Sequence, residues 1–336
     1  MFYATRFFSI SFLSCFLISC GGSDSSTEAP NTTPPAAITD TTFTLGISDA
    51  PVDNADEVVI TIESITFTRD GDDVVFDTFS NESEGIVDAE TVMLDLLQFQ
   101  GSAQFNILEN ATIPIDNYNQ VIINVLDEDS TLSYVTELDG SIKSIKVPSD
   151  NLKLGGIAIT GDSENQQFTV EFNLRKSMTY KPGKEEYNLK PTGVRIVNND
   201  ETGIIAGNVD LDAINTDINC MAGTHLIYLY QGTDLDMSLL ADTFDSENTD
   251  NGAPDSAISP FDAVTPTLDI DTNNYTYEFG FVPTGEYTLA YACNTSENGD
   301  DPDFYDEIIV PNPASEIIEI EVEGNETTNQ NFPISD

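Results

Sequence analysis

The chain has 336 residues, with 59 Asp or Glu against 11 Lys or Arg and a single His, for a formal net charge of −48. Such a balance repels phosphate backbones and anionic lipid headgroups, which excludes nucleic acid and an electrostatically held bilayer surface as partners. It also repels itself, so the folded state is expected to depend on salt or bound cations, through saline adaptation, specific cation sites or both.

The first twenty residues, MFYATRFFSISFLSCFLISC, carry one charge, Arg6. The apolar stretch from Phe7 to Ile18 is too short to span a bilayer as a helix and has the length of a signal-peptide core. Leu17-Ile18-Ser19-Cys20 before Gly21-Gly22 resembles the bacterial lipobox. The resemblance implies a signal peptide over 1–19, lipidation of Cys20, and a lipid-anchored protein of the bacterial outer membrane. No Asp follows Cys20 to suggest retention at the inner membrane. Several acyl chains on one cysteine would hold firmly. Residues 20–41 are rich in Gly, Ser, Thr and Pro and read as a flexible tether.

From residue 42 the apolar pattern has period two, the mark of half-buried strands. Phe43, Leu45 and Ile47 alternate, then the chain turns at Asp49-Ala50-Pro51. Val58, Ile60 and Ile62 alternate in one phase, Ile65 and Phe67 in the other, which predicts a bulge near Glu63-Ser64. VVFDTF, QVIINVL, IKSIKV, GGIAIT, QFTVEFNL and GVRIV supply further strands, and DAETVMLDLLQFQ a possible short helix. This is an all-β sandwich pattern. SDAPVDNADEVVITIESITF, VMLDLLQF, IKVPSD, FTVEFNLRKSMTY and YNLKPTGVRIV follow in the order of one family. The region 42–199 resembles the bacterial lipoprotein domain known as domain of unknown function 4382. That implies a β-rich exported domain without an established activity.

A second domain is expected over 203–336. GIIAGNVDL and GTHLIYLYQG are strands, an acidic insertion loop runs from Asp234 to Asp262, and YTYEFGFVPTGEYTLAYAC reads as a hairpin-like unit. Ile308 to Val310 and Ile317 to Val322 supply closing strands. The aromatic-x-apolar-Pro-x-Gly-x-Tyr element is similar to that of carboxypeptidase-regulatory, transthyretin-like β-sandwich modules. The chain is thus expected to hold two β-sandwich domains behind a signal peptide and tether.

Chemistry is sparse. The single histidine, His225, sits in a predicted strand, and no Gly-x-Ser-x-Gly elbow is present. Zinc and most transition-metal sites favour His or Cys ligands that this chain does not supply. No enzyme activity is expected. Beyond the leader, Cys220 and Cys293 are the two cysteines, and an oxidising compartment favours their pairing. That disulfide would contribute roughly 3–5 kcal/mol in the chain-entropy model.

Calcium, which takes oxygen ligands, is the one cofactor the composition suits. Asp269, Asp271 and Asn273 have the right alternation, yet Asn274 and Gly280 stand where an EF-hand needs glycine and glutamate. Asp300, Asp301 and Asp303 form a second candidate group, and Asp49, Asp53 and Asp56 a third. For each the alternative is a solvated loop or an Asx-type turn. Nine of the 11 basic residues lie between Lys143 and Arg195, whereas 196–336 has none against 29 acids. Either Arg175 pairs within its own domain, with Asp49 or Asp95, or the cations form a docking face for the acidic second domain. The favoured function is a non-enzymatic binding or adhesion module for a glycan, a protein or another envelope component. The alternative is a structural envelope lipoprotein with a calcium-dependent spacer domain.

Overall fold

The structure is a computed structural model and describes residues 39–50, 55–127, 129–217, 224–294 and 301–334. The alternation at Phe43, Leu45 and Ile47 becomes the strand Asp40–Ala50, with all three side chains fully buried. It runs inside a four-stranded sheet of order Val194–Asn198, Gln166–Asn173, Asp40–Ala50 and Phe105–Pro114. Its pairing is parallel to Gln166–Asn173 and antiparallel to Phe105–Pro114.

The facing sheet is organised by the 14-residue strand Ala55–Thr68. Its register against Gln120–Val125 shifts between Ile62 and Ser64, at the bulge the pattern predicts. The extra residue lets Val58, Ile60 and Ile62 before it, and Ile65 and Phe67 after it, reach the same core. Tyr134–Glu137 and Val92–Asp95 pair with the first half of this strand, Gln120–Val125 and Val74–Phe76 with the second. Phe43, Phe67 and Phe76 meet between the sheets with ring centroids 5.4, 5.7 and 5.8 Å apart. Each such contact adds about 0.5–1.5 kcal/mol beyond area burial.

The expected helix near residue 92 is instead the strand Val92–Asp95 followed by the 3-10 turn Leu96–Gln98. Val92 and Leu94 point inward at period two, and pairing with residues 59–62 satisfies the backbone. Asp95 Oδ1 accepts the Leu97 and Val58 amides at 3.2 and 3.1 Å and fixes the strand end.

The C-terminal region is a pair of four-stranded sheets. One has the order Thr267–Asp269, Asn274–Pro283, Thr202–Val209 and Thr327–Asn329; the other Asp262–Val264, Thr224–Gln231, Gly285–Asn294 and Ile317–Val322. The two runs around Val282-Pro283-Thr284-Gly285 therefore do not pair as a hairpin. The turn carries the chain from one sheet to the other. Tyr277 and Phe279 on one side, and Tyr287, Leu289 and Tyr291 on the other, then face each other across one core. Neighbours in one sheet could not do so. Phe281, at φ 48°, takes up part of the sharp change of direction.

Two further expectations change. The acidic stretch after Asp234 is no solvated insertion, because Leu240, Ala241, Asp242 and Thr243 are buried. Leu240 joins Leu226, Tyr228, Tyr230, Ile308 and Val310 in a second apolar cluster. The strand Thr224–Gln231 is consequently buried on both faces, its Ile227 and Leu229 packing into the other core. Ile308 to Val310 packs there as irregular backbone, while Ile317–Val322 is a strand as expected. Pro311 and Pro313 withhold amide donors from the neighbouring backbone. Among the described residues no sheet combines strands from 40–198 with strands from 202–329, yet residues 38–336 form one compact unit.

Candidate functional site

The two regions are joined by the short 3-10 turn Asn199–Glu201, which Asn198 caps by accepting the Asp200 amide at 3.2 Å. Four of the basic residues of 143–195 work at this junction. Lys190 Nζ donates to Asp245 Oδ2 at 2.7 Å and lies 3.8 Å from Glu247 Oε2. Lys176 Nζ donates to the Pro260 carbonyl, and Arg175 Nη2 to Thr265 Oγ1 at 3.2 Å. Arg195 pairs with Glu171, its directly opposed neighbour in the sheet, and lies 4.5 Å over the Phe261 ring. The cations thus serve as a docking face for the acidic region, with Arg195 also neutralising an acid of its own sheet.

Three carboxyl groups are sealed into this junction: Asp49, Glu171 and Asp262, each at most 2 % exposed. Asn173 Nδ2 donates to Asp262 Oδ1 at 2.7 Å across the boundary. Burial raises the pKa of Asp262, opposed by Arg195, the Ala263 amide, Lys176 and Arg175. Burial pushes Glu171 up to about 8 against the pull of Arg195, and Asp262 adds to the rise. Asp49 is raised well above the usual range by burial and by Glu171, Asp262 and Asp95. The Ala50 amide pulls the other way, and Arg175 donates no hydrogen bond to its carboxyl oxygens. Asp49 and Arg175 both belong to the junction without forming the expected hydrogen-bonded pair. A strand that is buried on both faces carries Asp49 inward regardless of its charge.

A second feature lies on the hairpin formed by Thr267–Asp269 and Asn274–Pro283. Asp269 Oδ1 accepts the Asp271 and Thr272 amides at 2.9 and 3.4 Å, and Oδ2 accepts Thr272 Oγ1 at 2.7 Å. These bonds hold its carboxyl below the usual range. Asn273 completes the turn at φ 59° and donates its amide to Asp269 O at 2.7 Å. Asp269 therefore builds the turn, while Asp271 and Asn273 point to solvent. Around this turn Leu268, Ile270 and Tyr275 are 46, 87 and 36 % exposed. A groove of about 540 Å³ beside them is lined by Asn208, Asp210, Asp212, Asn274 and Tyr275, among others.

The other candidate calcium loop is also knitted by amide bonds. Asp301 Oδ1 accepts the Asp303 amide at 3.0 Å, and Asp306 Oδ2 accepts the Asp301 amide at 2.6 Å. Burial, with Asp301 and Asp245 nearby, pushes Asp303 up to about 6. Asp300 lies outside the described residues. Among the described residues no three His, Cys, Asp or Glu side chains converge as metal ligands would. Asp53, Cys20 and Cys220 also lie outside the described residues; Cys293 is buried in the strand Gly285–Asn294. His225 contacts the Tyr291 hydroxyl through Nδ1, and burial lowers its pKa.

Sequence reasoning missed Glu171, Asn173 and Asp262; it placed Lys190 among the docking cations without its partner Asp245. The one-sided charge map was the available signal, but it locates cations and acids without saying which of them meet.

A third feature is a cavity of about 460 Å³ where the outer face of the Asn274–Pro283 sheet meets Gln100 and Gly101 of the N-terminal region. Gly280 presses against that loop so closely that an added Cβ would lie 2.0 Å from Gly101 O.

No curated protein matches the chain. Among solved structures, the Bacillus anthracis TIE protein is 12 % identical, with a TM-score of 0.19, over 87 % of this chain and 34 % of its own. The major pilin subunit of Bacillus cereus is 12 % identical, with a TM-score of 0.18, over 87 % of this chain and 69 % of its own. The minor pilin of Streptococcus agalactiae is 11 % identical, with a TM-score of 0.18, over 86 and 94 %. The chain spans about a third of the length of the first of these. Residues 40–191 match the family model described as Domain of unknown function (DUF4382).

Proposed function

We propose that this protein is a non-enzymatic envelope lipoprotein, anchored to the outer membrane through Cys20, that binds a glycan, a protein or another envelope component. The observation that carries the reading is the exposed cluster of Leu268, Ile270 and Tyr275 at one loop end, beside a groove with amide and carboxylate walls. Apolar side chains held out on a turn that Asp269 stiffens make a contact surface that needs little ordering on binding. The same reading includes a Cys220–Cys293 disulfide and a transthyretin-like C-terminal domain.

The test is capture of the protein on immobilised envelope fractions. Tyr275→Ala and Ile270→Asp should each abolish capture at unchanged Tm; capture that survives both would refute this surface. Cys20→Ala should release the protein from membranes, and unchanged retention would refute the anchor. The braced junction favours a second reading, a rigid calcium-dependent spacer. Under it the Tm rises in millimolar calcium beyond sodium of equal ionic strength, and equal melting curves exclude it.

A further inference from the structure

We propose that the cavity on the outer face of the Asn274–Pro283 sheet is a binding groove for a neutral oligosaccharide. The inference rests on the binding reading above and names the chemistry of a second surface on the same sheet. Strand register lays out its floor. Thr267 and Asn208 flank Thr276 on neighbouring strands, and Glu278, Ala206 and Asn329 form the next row. Adjacent members of a row stand about 4.8 Å apart, the strand spacing. Gln100 and Gly101 close one end and Thr265 lies beside them. The floor belongs to one region and the end wall to the other, and ligand sites favour such boundaries.

The lining selects the ligand. It contains no Lys or Arg, and the chain's charge of −48 disfavours anions. Its single carboxylate, Glu278, already accepts the Ser102 amide through Oε1 at 2.7 Å, too little for a divalent cation. The remaining polar groups are hydroxyls and amides, which both donate and accept, as sugar hydroxyls do. The side chains of Gln100, Thr267 and Thr276 face the groove and are left without an intramolecular hydrogen bond to a described group. Asn208 and Asn329 make side-chain bonds of 3.4 Å, long enough to exchange for a ligand. Ala206 leaves depth at the centre of the second row.

Calorimetric titration of the full chain with cellohexaose, maltohexaose, laminarihexaose, xylohexaose, mannohexaose and the acidic hexagalacturonate tests the assignment. At least one neutral hexaose should bind, hexagalacturonate should not, and Thr276→Val and Asn208→Ala should each weaken binding at least tenfold at unchanged Tm. No binding by any neutral hexaose, tighter binding of hexagalacturonate, or full affinity in both variants would overturn it. Envelope capture that depends on Tyr275 but comes with no hexaose binding would leave the binding reading standing and remove this groove.

Discussion

The two regions hold their carboxylates with different sets of partners. In the N-terminal region backbone amides, as at Asp95, are joined by cations: Arg69 with Asp116, Lys146 with Asp127, Lys184 with Glu186. The C-terminal region has no cation of its own and turns to backbone amides. Asp242 Oδ2 accepts the Asp306 and Ile308 amides at 3.1 and 2.8 Å, and Glu316 Oε2 accepts the Ile334 amide at 2.7 Å. Its cores differ too. Tyr228, Tyr230, Tyr287 and Tyr291 are fully or almost fully buried there, and Tyr230 and Tyr287 spend their hydroxyls on the Ala241 and Pro283 carbonyls at 2.6 and 2.9 Å. An acid-rich region can thus fold by internal amide bonding, and it borrows cations from its neighbour at the junction alone.

The largest effect should come from separating the two regions. An alanine at Gly280 would drive its Cβ into the backbone of Gly101 and Ser102, at 2.0 to 2.7 Å, where no side chain can move aside. Gly280→Ala should destabilise by about 3 kcal/mol, the upper end for overpacking. Calorimetry should then resolve two transitions, and a single unshifted transition would contradict a shared junction.

Arg195→Ala comes next, at about 2 kcal/mol. That is below the usual figure for breaking a buried pair, because Glu171 can take up a proton instead of staying charged. Arg195→Lys should recover little, since a point charge replaces neither the planar pairing nor the contact with Phe261.

The buried carboxyls give a smaller, pH-dependent term. Asp49, Glu171 and Asp262 have raised folded-state pKa values, so between about pH 4 and the folded value of about 8 for Glu171 the native state holds protons that the unfolded state has released. Stability therefore falls as pH rises through that window, and the Tm should climb from pH 8 towards pH 5. Asp49→Asn, which needs no proton, should stabilise by about 1 kcal/mol at pH 8 and flatten the slope. A Tm that rises with pH, in either protein, would contradict the buried cluster. The smallest effect belongs to Asp269→Ala, which removes turn bonds on an exposed loop. A slight fall in Tm, equal in calcium and in sodium of matched ionic strength, is expected; a loss confined to calcium would make Asp269 a ligand.

The sequence by itself determined the β class, the positions of most strands and the bulge at Glu63-Ser64. Each is written in local alternation, and a phase change needs no knowledge of partners. The match of residues 40–191 to a family model was legible for the same reason, the motifs being strands and corners in fixed order. Only the tertiary structure decided what local pattern cannot encode. The turn at Pro283 crosses between sheets instead of closing a hairpin, because burial of aromatic side chains on two facing sheets outweighs local pairing. Residues 92–95 form a strand because a partner at 59–62 awaits them. Asp49, read as a turn-former or a partner of Arg175, is a buried carboxyl that accepts no hydrogen bond from Arg175, and Lys190 finds Asp245 across 55 residues of chain. Charge pairing depends on which surfaces meet, and that is set by packing of the whole molecule.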